Sequence, residues 1–142
     1  MDDASVELVA GVLLTRLKKI TDENGSLIVG ELQAGLPFLV KRIFTVLDVP
    51  NGETRGIHAH RECEQFLICM RGSVTAIVDD GTTRAEVLLD DPSVGLYMPA
   101  MTWGTQFGYS PDAVLVVLAS DLYDAGDYID DYEEFRRLRG AA

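Results

Sequence analysis

The chain has 142 residues, of which 47% are hydrophobic and 25% charged, with a formal net charge of −11. This composition fits one soluble domain. It excludes nucleic-acid binders, which carry a basic surface, and membrane-surface proteins with a basic amphipathic helix. No apolar run approaches the roughly 20 residues that cross a bilayer, and the acidic N-terminus lacks a signal peptide's basic region. We therefore expect a cytoplasmic protein.

Short apolar segments separated by turns that contain glycine, aspartate or proline predict β-strands along most of the sequence. The predicted strands occupy 12–20, 26–32, 38–49, 65–70, 73–78, 82–89 and 113–120. Within 38–49 we expect Arg42 and Phe44 to share a face, because side chains alternate along a strand. Strands at intervals of about ten residues indicate an antiparallel sandwich or barrel rather than βαβ units.

The C-terminal segment has a different pattern, in which apolar residues recur at helical spacing. Asp127 precedes this pattern and is suited to cap the N-terminus of a helix. We therefore predict a helix at about 127–138. Together these elements predict a single all-β barrel domain over residues 1–142, with a short C-terminal helix.

Both histidines of the chain lie in one short segment, which reads G-x5-H-x-H-x4-Q-x6-G from Gly52 to Gly72. This pattern resembles the first motif of the cupin superfamily, G-x5-H-x-H-x3,4-E-x6-G. That resemblance implies a double-stranded β-helix, or jelly-roll barrel. The second cupin motif is eroded: Pro99 matches its proline, but Met101 stands at the position of its glycine.

Metal-binding cupins take two histidines and a glutamate from the first motif and one histidine from the second. These four positions are here His58, His60, Gln65 and Gly104. Two good ligands are fewer than the three or four that zinc sites use. We therefore expect no metal and no other cofactor. The alternative is a metal site in which Glu62 or Glu64 substitutes for the missing carboxylate.

Two imidazoles at i and i+2 of a strand share a face, about 6.5–7 Å apart at their Cα atoms. An imidazole with a pKa of about 6.5 is a usable base at neutral pH. His58 and His60 could therefore move protons between adjacent atoms of one ligand. The alternative is that both rings are solvated on an outward face. The flanking glycines and Arg55–Gly56 favour the first interpretation.

A narrower resemblance rests on two longer motifs. The first is R-G-x-H-A-H at 55–60, and the second is L-A-S-x-x-Y-D-x-x-D-Y-I at 118–129. Together with Trp103 they resemble the dTDP-4-keto-6-deoxyglucose 3,4-ketoisomerases, which are WxcM-like cupins that act in the synthesis of nucleotide-linked deoxy- and amino-sugars. The resemblance runs from about residue 17 to residue 135, almost the whole chain.

The resemblance implies a metal-independent isomerase that moves the ketone of a dTDP-linked 4-keto-6-deoxyhexose from C-4 to C-3 through an enediol or enediolate. It also implies a homodimer with exchanged N-terminal strands, at about 12–32. His58 is expected to be the base and proton shuttle. His60 is expected to hydrogen-bond the sugar oxygens or to hold the tautomer of its neighbour. No nucleic-acid or membrane partner is expected.

Further side chains are candidates for substrate binding. Arg55 and Gln65 could stabilise negative charge that develops on oxygen. Arg42, on the same strand face as Phe44, could pair with the diphosphate through its planar guanidinium, or it could form a salt bridge to a surface carboxylate. Trp103 could stack on the sugar or the base, or it could be a core residue at the barrel rim.

Three positions depart from the family's pattern. Phe44 replaces a tyrosine that members often carry, so a phenolic proton donor is missing. Many members have a charged or aromatic residue where Asn24 stands, and an ionisable one where Gly104 stands. We expect Asn24 and Gly104 to face the sugar and to influence which side of C-4 receives the proton, so the product can be galacto or gluco.

Three other functions remain as alternatives to the ketoisomerase. A non-catalytic cupin that binds a nucleotide-sugar would also show an eroded second motif. A metal-dependent cupin such as a dioxygenase would use both histidines and an acidic neighbour. A cupin-type sugar epimerase would move a proton at C-3 or C-5 and leave the carbonyl in place. The ketoisomerase is favoured because its two motifs occur together.

Overall fold

The computed structural model describes residues 5–140, so the ends of the predicted domain at 1–4 and 141–142 lie outside the described residues. Its first strands are β1 (Ser5–Glu7), β2 (Leu13–Arg16), β3 (Lys18–Asp22), β4 (Gly25–Val29), β5 (Glu31–Leu32), β6 (Gly35–Leu36), β7 (Arg42–Leu47) and β8 (Arg55–His60). The later elements are β9 (Gln65–Arg71), β10 (Val74–Asp79), β11 (Arg84–Leu89), β12 (Val94–Met98), β13 (Trp103–Phe107), β14 (Val114–Ala119), β15 (Tyr128–Ile129) and α1 (Tyr132–Arg139).

Two antiparallel sheets form the body of the protein. One has the strand order β1-β2-β12-β9-β14-β7 and the other β11-β10-β13-β8-β15. Side chains from both sheets share one buried core, for example Leu67 and Leu115 from the first and Ala76 and Val78 from the second. Burying apolar faces of two sheets against each other is what stabilises such a sandwich. The predicted all-β architecture is therefore confirmed.

The predicted alternation along 38–49 is confirmed in β7. Arg42, Phe44 and Val46 are half-buried, whereas Ile43 and the other intervening side chains are exposed. β7 pairs with β14 over its whole length, from Leu47 opposite Val114 to Arg42 opposite Ala119. The inward face of β7 is therefore held against the interior between the sheets.

The predicted strand at 12–20 is two strands, because its halves have different partners. β2 pairs with β12 in the large sheet, whereas β3 pairs only with β4. Leu17 separates them, with its side chain buried and its N–H donated to the carbonyl of Ser93. The β3–β4 hairpin is mostly exposed, and it presents Ile20 and Leu27 to solvent.

The predicted start of the C-terminal helix at Asp127 is wrong. Asp127 ends a 3₁₀ turn (Ala125–Asp127), and the next two residues form β15, which pairs with β8. The cap of α1 is Asp131, whose carboxylate accepts hydrogen bonds from the N–H groups of Glu133 and Glu134. Asp127 cannot cap a helix because its oxygens accept hydrogen bonds from the β8–β9 loop and from His60.

The helix is short, with eight residues from Tyr132 to Arg139. It ends at Gly140, whose φ of 80° is the left-handed conformation that glycine adopts without strain. Phe135 on its inner side is fully buried. No helix in the described part of the chain is long and apolar enough to cross a membrane.

Candidate active site

A cavity of about 660 Å³ lies between the two sheets. Its wall includes side chains from β7, β8, β9, β13 and β14. Six of the residues predicted from the sequence line it: Phe44, Arg55, His58, His60, Gln65 and Gly104. Strand pairing explains how they meet, since β8 pairs with β13 in one sheet and β14 pairs with both β7 and β9 in the other.

The two histidines converge on this cavity. His58 Nε2 lies 3.1 Å from His60 Nε2, within hydrogen-bond distance. The rings meet edge to face, with centroids 4.9 Å apart and an interplanar angle of 79°. His58 is half-buried, whereas His60 is only 5% exposed. The predicted shared inner face is therefore present, and of the two rings His58 is the more accessible.

Asp127 completes this cluster. Its Oδ2 lies 2.9 Å from His60 Nδ1, and its carboxylate also accepts the backbone N–H groups of Glu62 at 2.7 Å and Cys63 at 3.3 Å. Asp127 belongs to the second motif, but the sequence predicted for it only the role of a helix cap. Its position 67 residues after His60 left no local signal that the two side chains meet.

Both imidazoles are held in the neutral form by their surroundings. Burial, followed by the nearby His60, lowers the pKa of His58 from 6.5 to about 4, against a smaller opposite effect of Asp130. Burial also lowers the pKa of His60, and this effect outweighs the hydrogen bond that His60 donates to Asp127, which raises it. At neutral pH the pair is therefore uncharged, and His58 has a lone pair available for proton transfer.

The carboxyl of Asp127 is held in the ionised form. Burial raises the pKa of this carboxyl. The hydrogen bonds from the N–H of Glu62 and from His60 have the larger, opposite effect, so that the net pKa is lowered. A carboxylate that accepts two or three hydrogen bonds is stabilised as the anion. The cluster thus has one negative charge behind two neutral rings.

Tyr128 packs against both histidines. Its ring centroid lies 4.7 Å from that of His58 and 4.5 Å from that of His60, and its side chain lines the cavity. This residue belongs to β15, whose pairing places Tyr128 opposite His60. Tyr128 belongs to the second motif, but the sequence predicted it in the C-terminal helix and not at the site.

Arg42 lies near the histidine pair but is not part of the cavity wall. Its guanidinium carbon is 5.6 Å from the ring centroid of Phe44 and 5.8 Å from that of Tyr123. Its Nη2 lies 3.9 Å from Cys63 Sγ, and its buried Nε has no hydrogen-bond partner within residues 5–140. The alternative prediction, a salt bridge from Arg42 to a surface carboxylate, finds no such pair in that range.

Gly104 lies directly opposite His58 in the β8–β13 pairing. A Cβ atom at this position would approach Met98 Cε to 2.5 Å. The absence of a side chain therefore allows Met98 to pack directly against the strand at Gly104. Gln106, two residues further on, also lines the cavity and was missed by sequence analysis. Its amide packs on Gly56, where φ is +67° and a Cβ would lie 2.2 Å from Gln106 Oε1.

The structure places Trp103 in the core rather than in the cavity. Its side chain is 7% exposed and packs against Tyr132 and Phe135, with ring centroids 5.3 and 5.7 Å away. Because neighbouring residues of a strand point to opposite faces, Trp103 cannot line the cavity together with Gly104. Of the two predicted roles, the structure supports the core residue.

Asn24 also lies outside the cavity of its own chain. It is exposed in the turn of the β3–β4 hairpin, where its N–H donates to Asp22 Oδ1 at 2.8 Å. Within a single chain Asn24 therefore does not line the cavity, and its position at the sugar stays a prediction. The hairpin projects from the sheets because β3 and β4 pair only with each other.

One group of side chains within residues 5–140 has the spacing of a metal site: His60, Cys63 and Asp127, whose ligand atoms lie within 4.8 Å of one another. The direct contact between His60 Nδ1 and Asp127 Oδ2 fits a hydrogen bond, so an ion would have to separate these atoms. The positions that metal-binding cupins use fit poorly, since Gln65 offers a neutral amide and Gly104 offers no side chain.

Comparisons with known proteins agree on one family. The family model described as "FdtA: WxcM-like, C-terminal" matches residues 10–140. A TDP-4-oxo-6-deoxy-alpha-D-glucose-3,4-oxoisomerase of Aneurinibacillus thermoaerophilus is 44% identical over 120 residues, which cover 84% of this chain and 86% of that protein.

Solved structures give the same result. The WlaRB TDP-quinovose 3,4-ketoisomerase of Campylobacter jejuni is 40% identical with a TM-score of 0.87, over 91% of this chain and 99% of that one. A mutant of the QdtA 3,4-ketoisomerase of Thermoanaerobacterium thermosaccharolyticum, in complex with TDP-4-keto-6-deoxyglucose, is 35% identical with a TM-score of 0.88, over 93% and 96% of the two chains.

Proposed function

This chain belongs to the FdtA, WxcM-like family, and from that premise we propose that it is a sugar 3,4-ketoisomerase. Its fold is the cupin jelly roll. The reaction moves the ketone of a dTDP-linked 4-keto-6-deoxyhexose from C-4 to C-3. The observation that supports this most directly is a pair of neutral imidazoles 3.1 Å apart on the inner wall of a cavity, one of them accessible to a ligand.

The reaction requires only proton transfers. The C-3 proton is acidified by the neighbouring C-4 carbonyl, and His58 removes it. The electron pair of the C–H bond forms the C-3=C-4 double bond, and the carbonyl oxygen on C-4 becomes an enediolate oxygen. The C-3 hydroxyl then loses its proton as the C-3 carbonyl forms. The oxygen on C-4 takes up a proton and becomes a hydroxyl, and C-4 accepts a proton from His58. Because the substrate has the same composition before and after, no oxidant or reductant is consumed.

The charged side chains around the cavity suit an anionic substrate in spite of the net charge of −11. Arg55 and Gln65 line the wall and are our candidates for stabilising the enediolate oxygen. Arg42 has a buried Nε without a partner within residues 5–140, and we assign it to the diphosphate. Phe44 provides an apolar surface beside it.

We further propose that the protein is a homodimer in which the β3–β4 hairpins are exchanged. Within residues 5–140 the hairpin pairs with no further strand, and it exposes Ile20 and Leu27, whose burial against a second copy would be favourable. The exchanged segment is narrower than the predicted 12–32, because β2 pairs within its own chain. In the dimer, Asn24 at the hairpin turn would reach the partner's cavity. Cytoplasmic residence stays a prediction from the sequence.

Incubation with dTDP-4-keto-6-deoxyglucose in deuterium oxide, followed by NMR, tests the proposed activity. We expect a 3-keto product that carries deuterium at C-4, and we expect the same rate after dialysis against a chelator. Exchange at C-3 or C-5 without a new ketone would indicate an epimerase. Ligand binding with neither exchange nor product would indicate a binding module, and activity lost on chelation and restored by a metal ion would indicate a metal-dependent cupin.

A further inference from the structure

The carboxylate of Asp127 is oriented by hydrogen bonds from the backbone and from one histidine. Its Oδ1 accepts the N–H of Glu62 at 2.7 Å, and its Oδ2 accepts both the N–H of Cys63 at 3.3 Å and His60 Nδ1 at 2.9 Å. Its own carbonyl accepts the N–H of Arg61 at 2.8 Å. The β8–β9 loop thus holds the carboxylate in one orientation, and among the described residues its only side-chain partner is the imidazole of His60.

The protonation states of the two rings follow from this contact. An ionised carboxylate only accepts hydrogen bonds, so His60 must carry its proton on Nδ1. The neutral His60 ring then has a lone pair on Nε2. Since His60 Nε2 and His58 Nε2 are 3.1 Å apart, the proton between them must belong to His58. His58 is left with its lone pair on Nδ1.

His58 Nδ1 is the ring nitrogen that remains for a substrate. Within residues 5–140 it has no hydrogen-bond partner, and it is not among the fully buried polar atoms that lack one. The His58 side chain lines the cavity. When Nδ1 takes up a proton, the positive charge of His58 is shared through Nε2–H with His60 and is balanced by Asp127.

We propose that Asp127 is a positioning residue that fixes the tautomers of His60 and His58, so that His58 Nδ1 is the nitrogen that exchanges protons with the substrate. The role of His58 as the base rests on the proposed isomerase activity, whereas the tautomers of the two rings do not. The arrangement explains how a buried neutral imidazole can act as a base: the carboxylate, two rings away, stabilises the imidazolium that forms during proton transfer.

The tautomers can be measured directly, because the chain has only two histidines. Long-range ¹H–¹⁵N NMR of the wild-type protein at pH 7.5 would record four ring nitrogens. We expect one ring protonated at Nδ1, which is His60, and the other at Nε2, which is His58. His60→Gln would identify the signals that remain. Two rings both protonated at Nε2, or a doubly protonated His60, would overturn the proposal whether or not the protein is an isomerase.

The variant Asp127→Asn tests the consequence for the reaction. Its amide can keep an oxygen on the N–H of Glu62 while its NH₂ group faces His60, which would move the proton of His60 to Nε2 and remove the lone pair of His58 Nδ1. We expect kcat to fall about 10³-fold, as in catalytic dyads that lose an orienting carboxylate, with KM changed less than about threefold. The two imidazole tautomers should reverse in the NMR spectrum.

Asp131→Asn is the matched control, because it removes a negative charge from the same segment and keeps a side chain able to cap α1. Its kcat and tautomers should equal those of the wild type. Asp127→Glu, which keeps the charge, should recover part of the lost kcat. If Asp127→Asn retains kcat within threefold, the proposed role is wrong. If Asp127→Asn does not fold, the tautomers measured in the wild-type protein still decide whether Asp127 positions the two rings.

Discussion

The buried Asp79 and the half-buried Asp127 each accept several hydrogen bonds, yet they do different things. Asp79 accepts Tyr132 Oη at 2.7 Å, Arg84 Nη2 at 3.0 Å and the N–H of Gly81 at 2.7 Å. Asp127 accepts two backbone N–H groups and His60. Each carboxylate accepts at least three hydrogen bonds, so the number of hydrogen bonds does not distinguish a functional group from a structural one.

The difference lies in where each network leads. The network of Asp79 ends at the guanidinium of Arg84, which compensates its charge, and at Tyr132 of α1, which it fastens to the β10–β11 hairpin. The network of Asp127 continues through two neutral rings to a nitrogen that has no protein partner in the described chain and lies at a cavity. In the described chain the charge of Asp127 is not compensated by a guanidinium as that of Asp79 is. It can therefore stabilise a positive charge that forms on the two rings during a reaction.

The largest effect is expected at the cavity end of the Asp127 network. His58→Asn removes the proposed base and keeps a polar side chain of similar size, so kcat should fall about 10³-fold or more. The melting temperature should change little, because within residues 5–140 the half-buried ring makes no hydrogen bond except to His60. Steady-state kinetics with circular dichroism would check both; a variant with near wild-type kcat would disprove the assignment.

The second prediction concerns the other aspartate. Asp79→Asn removes the charge that Arg84 compensates and leaves a single acceptor oxygen for several donors, so the free energy of unfolding should fall by about 2 kcal/mol. The kcat of the folded protein should stay unchanged. Urea denaturation would measure the effect, with Glu86→Gln on the exposed side of β11 as the control. A large loss of kcat at unchanged stability would erase the contrast between the aspartates.

Trp103 sharpens the comparison from the packing side. Trp103→Phe removes part of the contact with Tyr132 and Phe135, and should lower the free energy of unfolding by about 1 kcal/mol. The KM for the sugar nucleotide should stay within twofold, because the tryptophan does not line the cavity. A selective rise in KM would instead support the stacking role that the sequence also allowed.

The smallest effect is expected from pH. Since the pKa of His58 is lowered to about 4 by burial and by His60, its neutral form persists throughout the physiological range. We therefore expect kcat/KM to change less than about twofold between pH 6 and 8 and to fall as pH drops towards 4. The other groups that influence the two rings are Asp130, Asp127, Arg42 and Asp121.

The same shift affects stability with a definite sign. An unfolded chain takes up protons on its histidines near pH 6.5, whereas the folded chain keeps His58 neutral down to about pH 4. The unfolded state therefore binds more protons between these values, and the free energy of unfolding should fall as pH decreases through this window. Thermal unfolding of the wild type and of His58→Asn at pH 7 and pH 5 would show a smaller decrease for the variant.

The sequence was sufficient to predict most of the fold and the histidine wall. Period-2 patterns and turn residues locate strands because they are local properties, and the i, i+2 spacing of His58 and His60 places both rings on one face. Asp127 could not be predicted in its role, because its contact with His60 spans 67 residues and depends on how β15 pairs with β8. Its local context, an aspartate ahead of a helical pattern, indicated a cap.

Two other positions have simple physical reasons for what the sequence left undecided. Trp103 was open between a ligand contact and a core residue, and because adjacent residues of a strand face opposite ways, strand alternation could have separated it from Gly104. Asn24 was expected at the sugar on the basis of resemblance. It lies on a hairpin whose position relative to a cavity depends on a second chain, and no pattern within one sequence encodes that distance.

The pairing of β15 with β8 has a consequence for biosynthesis. The strand with both histidines leaves the ribosome well before the segment that supplies Asp127 and Tyr128. A nascent or prematurely released polypeptide therefore has both imidazoles but no counter-charge to set their protons. Competence to rearrange reactive carbonyl sugars therefore arises only when β15 docks on β8, which ties the chemistry to synthesis of the segment that follows β14.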